Sequence, residues 1–84
     1  MYYLIEISNQ KDKETSKAIY SYEDRDMAIG TFHQKLGGAM RNDTFLTEMA
    51  MVIDERGGIQ AYNYWEREIV EEAVPEEISN DVQD

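Results

Sequence analysis

The chain has 84 residues and a mass of 9.8 kDa, with 42% hydrophobic residues, 31% charged residues and a net charge of −10. These values describe one small domain with a modest core and high solubility, and leave no room for two. The absence of cysteine excludes a disulfide framework and a thiolate site and points to a reducing cytoplasm, and the single histidine, His33, nearly excludes zinc.

Residues Tyr2 to Ile7 are aromatic and β-branched, with Tyr3, Ile5 and Ile7 alternating against Tyr2, Leu4 and Glu6, which predicts a strand. This opening lacks the basic leader of a signal peptide, and no apolar run of about 18 residues follows it, so no membrane association is expected. The polar stretch Ser8 to Ser16 reads as a loop, and Lys17 to Tyr22 as a second strand pairing with the first. Ser21 and Asp24 have the spacing of a capping box, with a helix starting near Asp24. Ile29, Phe32, Leu36 and Met40, flanked by Ala28 and Ala39, repeat at the helical period and form its buried stripe. Thr44 to Ala50 is ambiguous, Met49 to Ile53 reads as a strand, Asp54 to Gly58 as a turn, and Ile59 to Trp65 as a fourth strand. The expected architecture is α+β: a ββαββ unit with a four-stranded antiparallel sheet and one helix on one face.

Charge divides the chain in two. Glu68 to Asp84 holds seven acids and no base, whereas Met1 to Arg67 has eleven acids against eight bases. Residues 1–67 are therefore expected to form the domain and 68–84 an acidic, partly disordered tail. Ile69, Val70, Ala73 and Val74 have helical spacing before Pro75. Mimicry of a phosphate backbone is the sharper alternative for the tail, and direct binding of nucleic acid is not expected of so acidic a chain.

Two features suggest contact surfaces. By strand alternation, Tyr2, Tyr20, Tyr22, Tyr62 and Tyr64 can share the sheet face that a single helix leaves bare; the tail segment around Ile69 to Val74, a foreign partner or a second copy could cover it, and the favoured expectation is a homodimer assembled on these tyrosines. The helix also carries Gly30, Gly37 and Gly38, each unfavourable by about 1 kcal/mol in a helix interior. One account ends the helix at Leu36 with Gly37 in the left-handed position after it. The other leaves room for a partner at Gly30, Gln34, Lys35, Gly37, Gly38 and Arg41, with Lys35, Arg41 and free glycine amides receiving an anion.

No nucleophile motif, phosphate loop, dinucleotide fingerprint or calcium loop occurs, so an enzyme is not expected and no cofactor is implied. His33 reads as a boundary residue of the helix and Trp65 as a core or interface anchor.

The stretch Phe32-His33-Gln34-Lys35-Leu36-Gly37-Gly38-Ala39-Met40-Arg41-Asn42, with Met51-Val52-Ile53-Asp54 and an aromatic last strand carrying Trp65, resembles a group of small uncharacterised proteins of phages and mobile elements in Gram-positive bacteria. The likeness runs from Met1 to about Arg67, and the acidic tail departs from it. The resemblance carries no activity. It implies a context in which small acidic products bind a host protein or a host signal molecule without turnover. The leading expectation is thus a non-enzymatic, cytoplasmic phage or prophage protein that inhibits or sequesters a factor of host antiviral defence. A binder of a nucleotide-like signal at Lys35, Gly37, Gly38 and Arg41 is the alternative, and a virion assembly module the third.

Overall fold

The computed structural model describes residues 1–68. Its elements are β1 (Tyr2–Gln10), β2 (Ser16–Tyr22), α1 (Arg25–Arg41), β3 (Phe45–Asp54) and β4 (Ile59–Glu66). They form the expected ββαββ fold, a four-stranded antiparallel sheet in the order β2-β1-β3-β4. The tail expectations for residues 69–84 lie outside the described residues.

Each hairpin pairs locally, and the helix carries the chain back along the sheet so that β3 pairs with β1. Leu4 thus faces Tyr20 on one side and Val52 on the other. The central strands supply the core. Leu4, Ala50 and Val52 are buried beneath Ala28, Phe32 and Leu36 of the helix. Alanines at 28 and 50 let the helix approach the sheet closely, and Phe32 and Leu36 fill the space between them.

Several boundaries differ from expectation. β1 runs on to Gln10, because Asn9 and Gln10 pair with Thr47 and Phe45 of β3; a distant strand makes a polar segment extended. The same pairing resolves the ambiguous stretch after Thr44 as strand. Asp24, and not Ser21, is the helix cap, its side chain accepting from the Asp26 amide at 3.1 Å. The buried stripe is Ala28, Phe32, Leu36 and Ala39, while Met40 is exposed, so the helix is rotated toward its alanines.

The helix does not end at Leu36. It continues through Gly37 and Gly38 to Arg41, and neither glycine takes a left-handed φ. Its C-terminal end is held by a residue from β4's far side. Arg67 donates from Nη2 to the carbonyls of Ala39 (3.3 Å), Met40 (3.3 Å) and Asn42 (2.9 Å), and from Nε to Phe45 (2.8 Å). Its guanidinium also lies 4.8 Å from the Trp65 ring centroid. One planar cation thus satisfies carbonyls that a helix end leaves bare, and it offsets the poor helix propensity of the two glycines.

The β3–β4 turn is built around Asp54. Its carboxylate accepts from the amides of Gly58 (2.7 Å) and Arg56 (2.9 Å), while Gly57 takes a φ of 88° that favours glycine. Hydrogen bonds from Gly58 and then Arg56 hold the Asp54 carboxyl below its ordinary pKa.

Candidate interaction surface

The strand register assigns every side chain to a face. Toward the helix point Tyr2, Leu4, Glu6 and Ser8 of β1, with their cross-strand partners Tyr22, Tyr20, Ala18 and Ser16 of β2. The expected tyrosine face therefore does not form. Tyr2, Tyr20 and Tyr22 pack against the helix-side core, and of the five expected tyrosines only Tyr62 and Tyr64 lie on the bare side, where Tyr3 joins them. Alternation groups residues within a strand but leaves open which group meets the helix. In β1 and β2, burial of Leu4 made that choice.

The bare face is nonetheless apolar, and its composition is mostly aliphatic. Three rows cross it in the order β2, β1, β3, β4. The middle row is Ile19, Ile5, Met51 and Tyr62. On one side of it lies Ser21, Tyr3, Ile53 and Ile59, and on the other Lys17, Ile7, Met49 and Tyr64. Beyond the Lys17 row the face ends on Asn9, Thr47 and Glu66. Ile19 is 69% exposed, Ile59 65%, Tyr62 59% and Tyr64 48%. No acid stands within the three rows, although the chain has eighteen.

Beneath the helix the chemistry is the reverse. Glu48 is fully buried, and neither carboxyl oxygen has a hydrogen-bond partner among the described residues. Burial pushes its pKa up to about 8, with Glu6 pressing the same way and Lys35 opposing, so the group is largely protonated at neutral pH. Lys35 donates to the Tyr20 hydroxyl at 3.3 Å, lies 3.7 Å from Glu6 Oε1, and sits 4.8 Å from the Tyr20 ring centroid. The Tyr20 hydrogen bond raises the pKa of Lys35 against a smaller opposing effect of burial. Lys35, Glu6 and Tyr20 thus engage one another at the helix–sheet edge, while Glu48 lies buried beneath the helix.

The residues expected to form a glycine-lined patch divide accordingly. Gly30, Gln34, Gly38 and Arg41 are exposed on the outer side of α1, with Gly37 beside them. Gly30 and Gln34 line a shallow depression with Asp26, Met27 and Thr31. A Cβ added at Gly30 or Gly38 meets nothing within 4 Å, and one at Gly37 meets the Arg41 side chain at 3.4 Å. Lys35 departs from the patch, because it turns down to Tyr20 and Glu6. The amides of Gly37 and Gly38 stand within the helix ladder, so they do not form the free anion-binding turn that a helix ending at Leu36 provides. His33 is exposed, its ring edge-on to Phe32 at a centroid distance of 5.0 Å.

Arg67 and Glu48 carry roles that residue spacing did not reveal. Arg67 stood at the edge of the expected domain as an unremarked cation, and Glu48 lay in the segment of uncertain structure. The signal available for Glu48 was its place between Leu46 and Ala50 in an alternating apolar series. Among the described residues, no group of three or more His, Asp or Glu is placed to hold a metal ion, and no helix is long and apolar enough to cross a membrane. No family model, curated protein or solved structure matches this chain.

Proposed function

We propose that this chain is a non-enzymatic binding protein that acts by docking through the open face of its sheet. The observation that carries the reading is the exposure of Ile19, Ile59, Tyr62 and Tyr64 on one surface with no acid among the rows. Large apolar side chains grouped this way gain free energy only when something covers them, whereas isolated exposed apolar residues are ordinary. An inhibitor that sequesters a factor of a host cell is the finer form of this reading, and its support is the resemblance of the segment from Phe32 to Asn42 to phage and mobile-element proteins. The nucleotide-binding alternative has lost the support of Lys35 and of the Gly37 and Gly38 amides.

The test compares the two outward surfaces. Tyr64→Asp places a charge on the open face, and Gln34→Glu places one on the outer side of the helix. Association, measured by light scattering of the purified chain alone and with its co-purifying proteins, is expected to fall with Tyr64→Asp and to survive Gln34→Glu. Retention with the first and loss with the second overturns the reading.

A further inference from the structure

Resting on that reading, we infer that the occupant of the open face is a second copy of this chain, laid face to face about a twofold axis parallel to the strands. Five side chains of the three rows, Ile7, Ile19, Ile59, Tyr62 and Tyr64, are each at least 36% exposed. With the half-buried Tyr3, Ile5, Met49, Met51 and Ile53 between them they make one contiguous apolar patch of the kind that monomers rarely leave open and stable interfaces cover.

The arrangement of the rows selects the axis. Rotation about a line parallel to the strands places β4 of one copy over β2 of the other and preserves level along the strand. Tyr62 then covers the partner's Ile19. These two residues stand at opposite ends of one row and are 59% and 69% exposed, so each fills the other's unmet contact. One row along, Tyr64 faces the partner's Lys17, and Glu66, two residues further on β4, comes to the same end of the sheet as that ammonium. Symmetry produces each contact twice. An axis across the strands instead puts Lys17 over the partner's Ser21 and leaves Glu66 without a cation.

Net charge does not forbid the approach. Although each copy carries −10, the only charge in the three rows is that of Lys17. Repulsion between acids elsewhere on the two copies is screened over about 8–10 Å at physiological salt, so association is expected to tighten as salt rises from low values.

Sedimentation of the full chain across concentration tests this. The expected result is a species of twice 9.8 kDa that Tyr62→Asp converts to monomer with unchanged far-ultraviolet circular dichroism. Lys17→Glu and Glu66→Lys are each expected to weaken association several-fold, and the two together in one chain to restore it. A dimer in which the double exchange fails to restore what the single exchanges lost overturns the axis. A native chain that stays monomeric at the highest concentration overturns the second copy as occupant. In that case a hydrophobic dye separates the two claims: dye bound by the native chain and not by Tyr62→Asp leaves the face a docking surface for something else, and dye bound by neither removes the docking reading too.

Discussion

The two faces of the sheet invert the usual distribution of polarity. The covered face buries Glu48 and holds Glu6, Lys35 and the Tyr20 hydroxyl in a charged cluster. The uncovered face shows Ile19, Ile59, Tyr62 and Tyr64 to solvent. The described residues hold one helix, and it lies on the face whose central strands supply Leu4, Ala50 and Val52. The polar groups there are tolerated because they meet one another or remain neutral. The difference teaches that the helix-side core accounts for the fold, while the apolar side chains of the bare side add little to it and are the ones the proposed docking would cover.

The sharpest way to break this comparison is to make the same kind of truncation on each face. Leu4→Ala removes a fully buried side chain at the centre of the sheet and is expected to lower stability by about 3 kcal/mol, independent of protein concentration. Ile19→Ala, on the open face, is expected to change the stability of the isolated chain by less than about 0.5 kcal/mol. Its effect should grow with protein concentration, because a covered dimer stabilises the fold by mass action. Urea unfolding at two concentrations reads both effects. Equal, concentration-independent losses would remove the distinction between the faces.

The buried carboxyl predicts a pH dependence whose sign is fixed by its shift. Glu48 has a pKa raised from 4.5 to about 8 on folding. Below 4.5 the group is protonated in both states and contributes nothing. Between 4.5 and 8 the unfolded chain releases the proton while the folded chain keeps it, so stability falls as pH rises across that window. Above 8 the loss is complete. Glu48→Gln cannot ionise, and unfolding measured from pH 5 to 9 should show this decline in the native chain and its absence in the variant. A parallel decline in both would place the titrating group elsewhere.

The architecture could be read from the sequence because it depends on short-range periodicities: alternation in Tyr2 to Ile7 and Lys17 to Tyr22, and the 3.6-residue repeat around Phe32 and Leu36. What could not be read depends on partners far along the chain. The extension of β1 through Asn9 and Gln10 needs β3, and the passage of α1 through Gly37 and Gly38 is supported by Arg67, 29 positions beyond Gly38. The candidate site was visible as a surplus of large apolar residues for one helix to cover. Its membership was misread at Tyr2, Tyr20 and Tyr22, since alternation carries no information about which side the helix takes. Lys35 looked like an anion-binding cation because its partners, Glu6 and Tyr20, become neighbours only once β1 and β2 are paired under the helix.

A smaller effect is expected where the two faces share a clamp. Arg67 ties the start of β3 to the end of α1 through four carbonyl oxygens. Arg67→Ala should lower stability by about 2 kcal/mol, because it leaves these acceptors and the negative end of the helix without their cation. Arg67→Lys is expected to recover only part of the loss, since an ammonium lacks the planar fork that reaches several carbonyls at once. Hydrogen exchange should localise the loss to the last turn of α1. Full recovery by lysine would reduce the role of Arg67 to charge alone.

The turn opposite this clamp gives the mildest and most local effect, and it opposes Glu48 in its response to pH. Gly57→Ala forces a side chain onto a φ of 88° and should lower stability by about 1 kcal/mol. Gly58→Ala acts differently, for its Cβ would stand 2.8 Å from Asp54 Oδ2 and push the carboxylate off the amides it accepts from. Those hydrogen bonds hold the Asp54 pKa low, so their contribution is present above the ordinary carboxylate range and disappears as pH falls through the folded value. In acid the native chain and Gly58→Ala should therefore converge in stability, while near neutrality they differ. Gly57→Ala, whose strain involves no titrating group, should keep a constant difference across the same range, and a constant difference for Gly58→Ala as well would show that displaced backbone, and not the carboxylate, carries its effect.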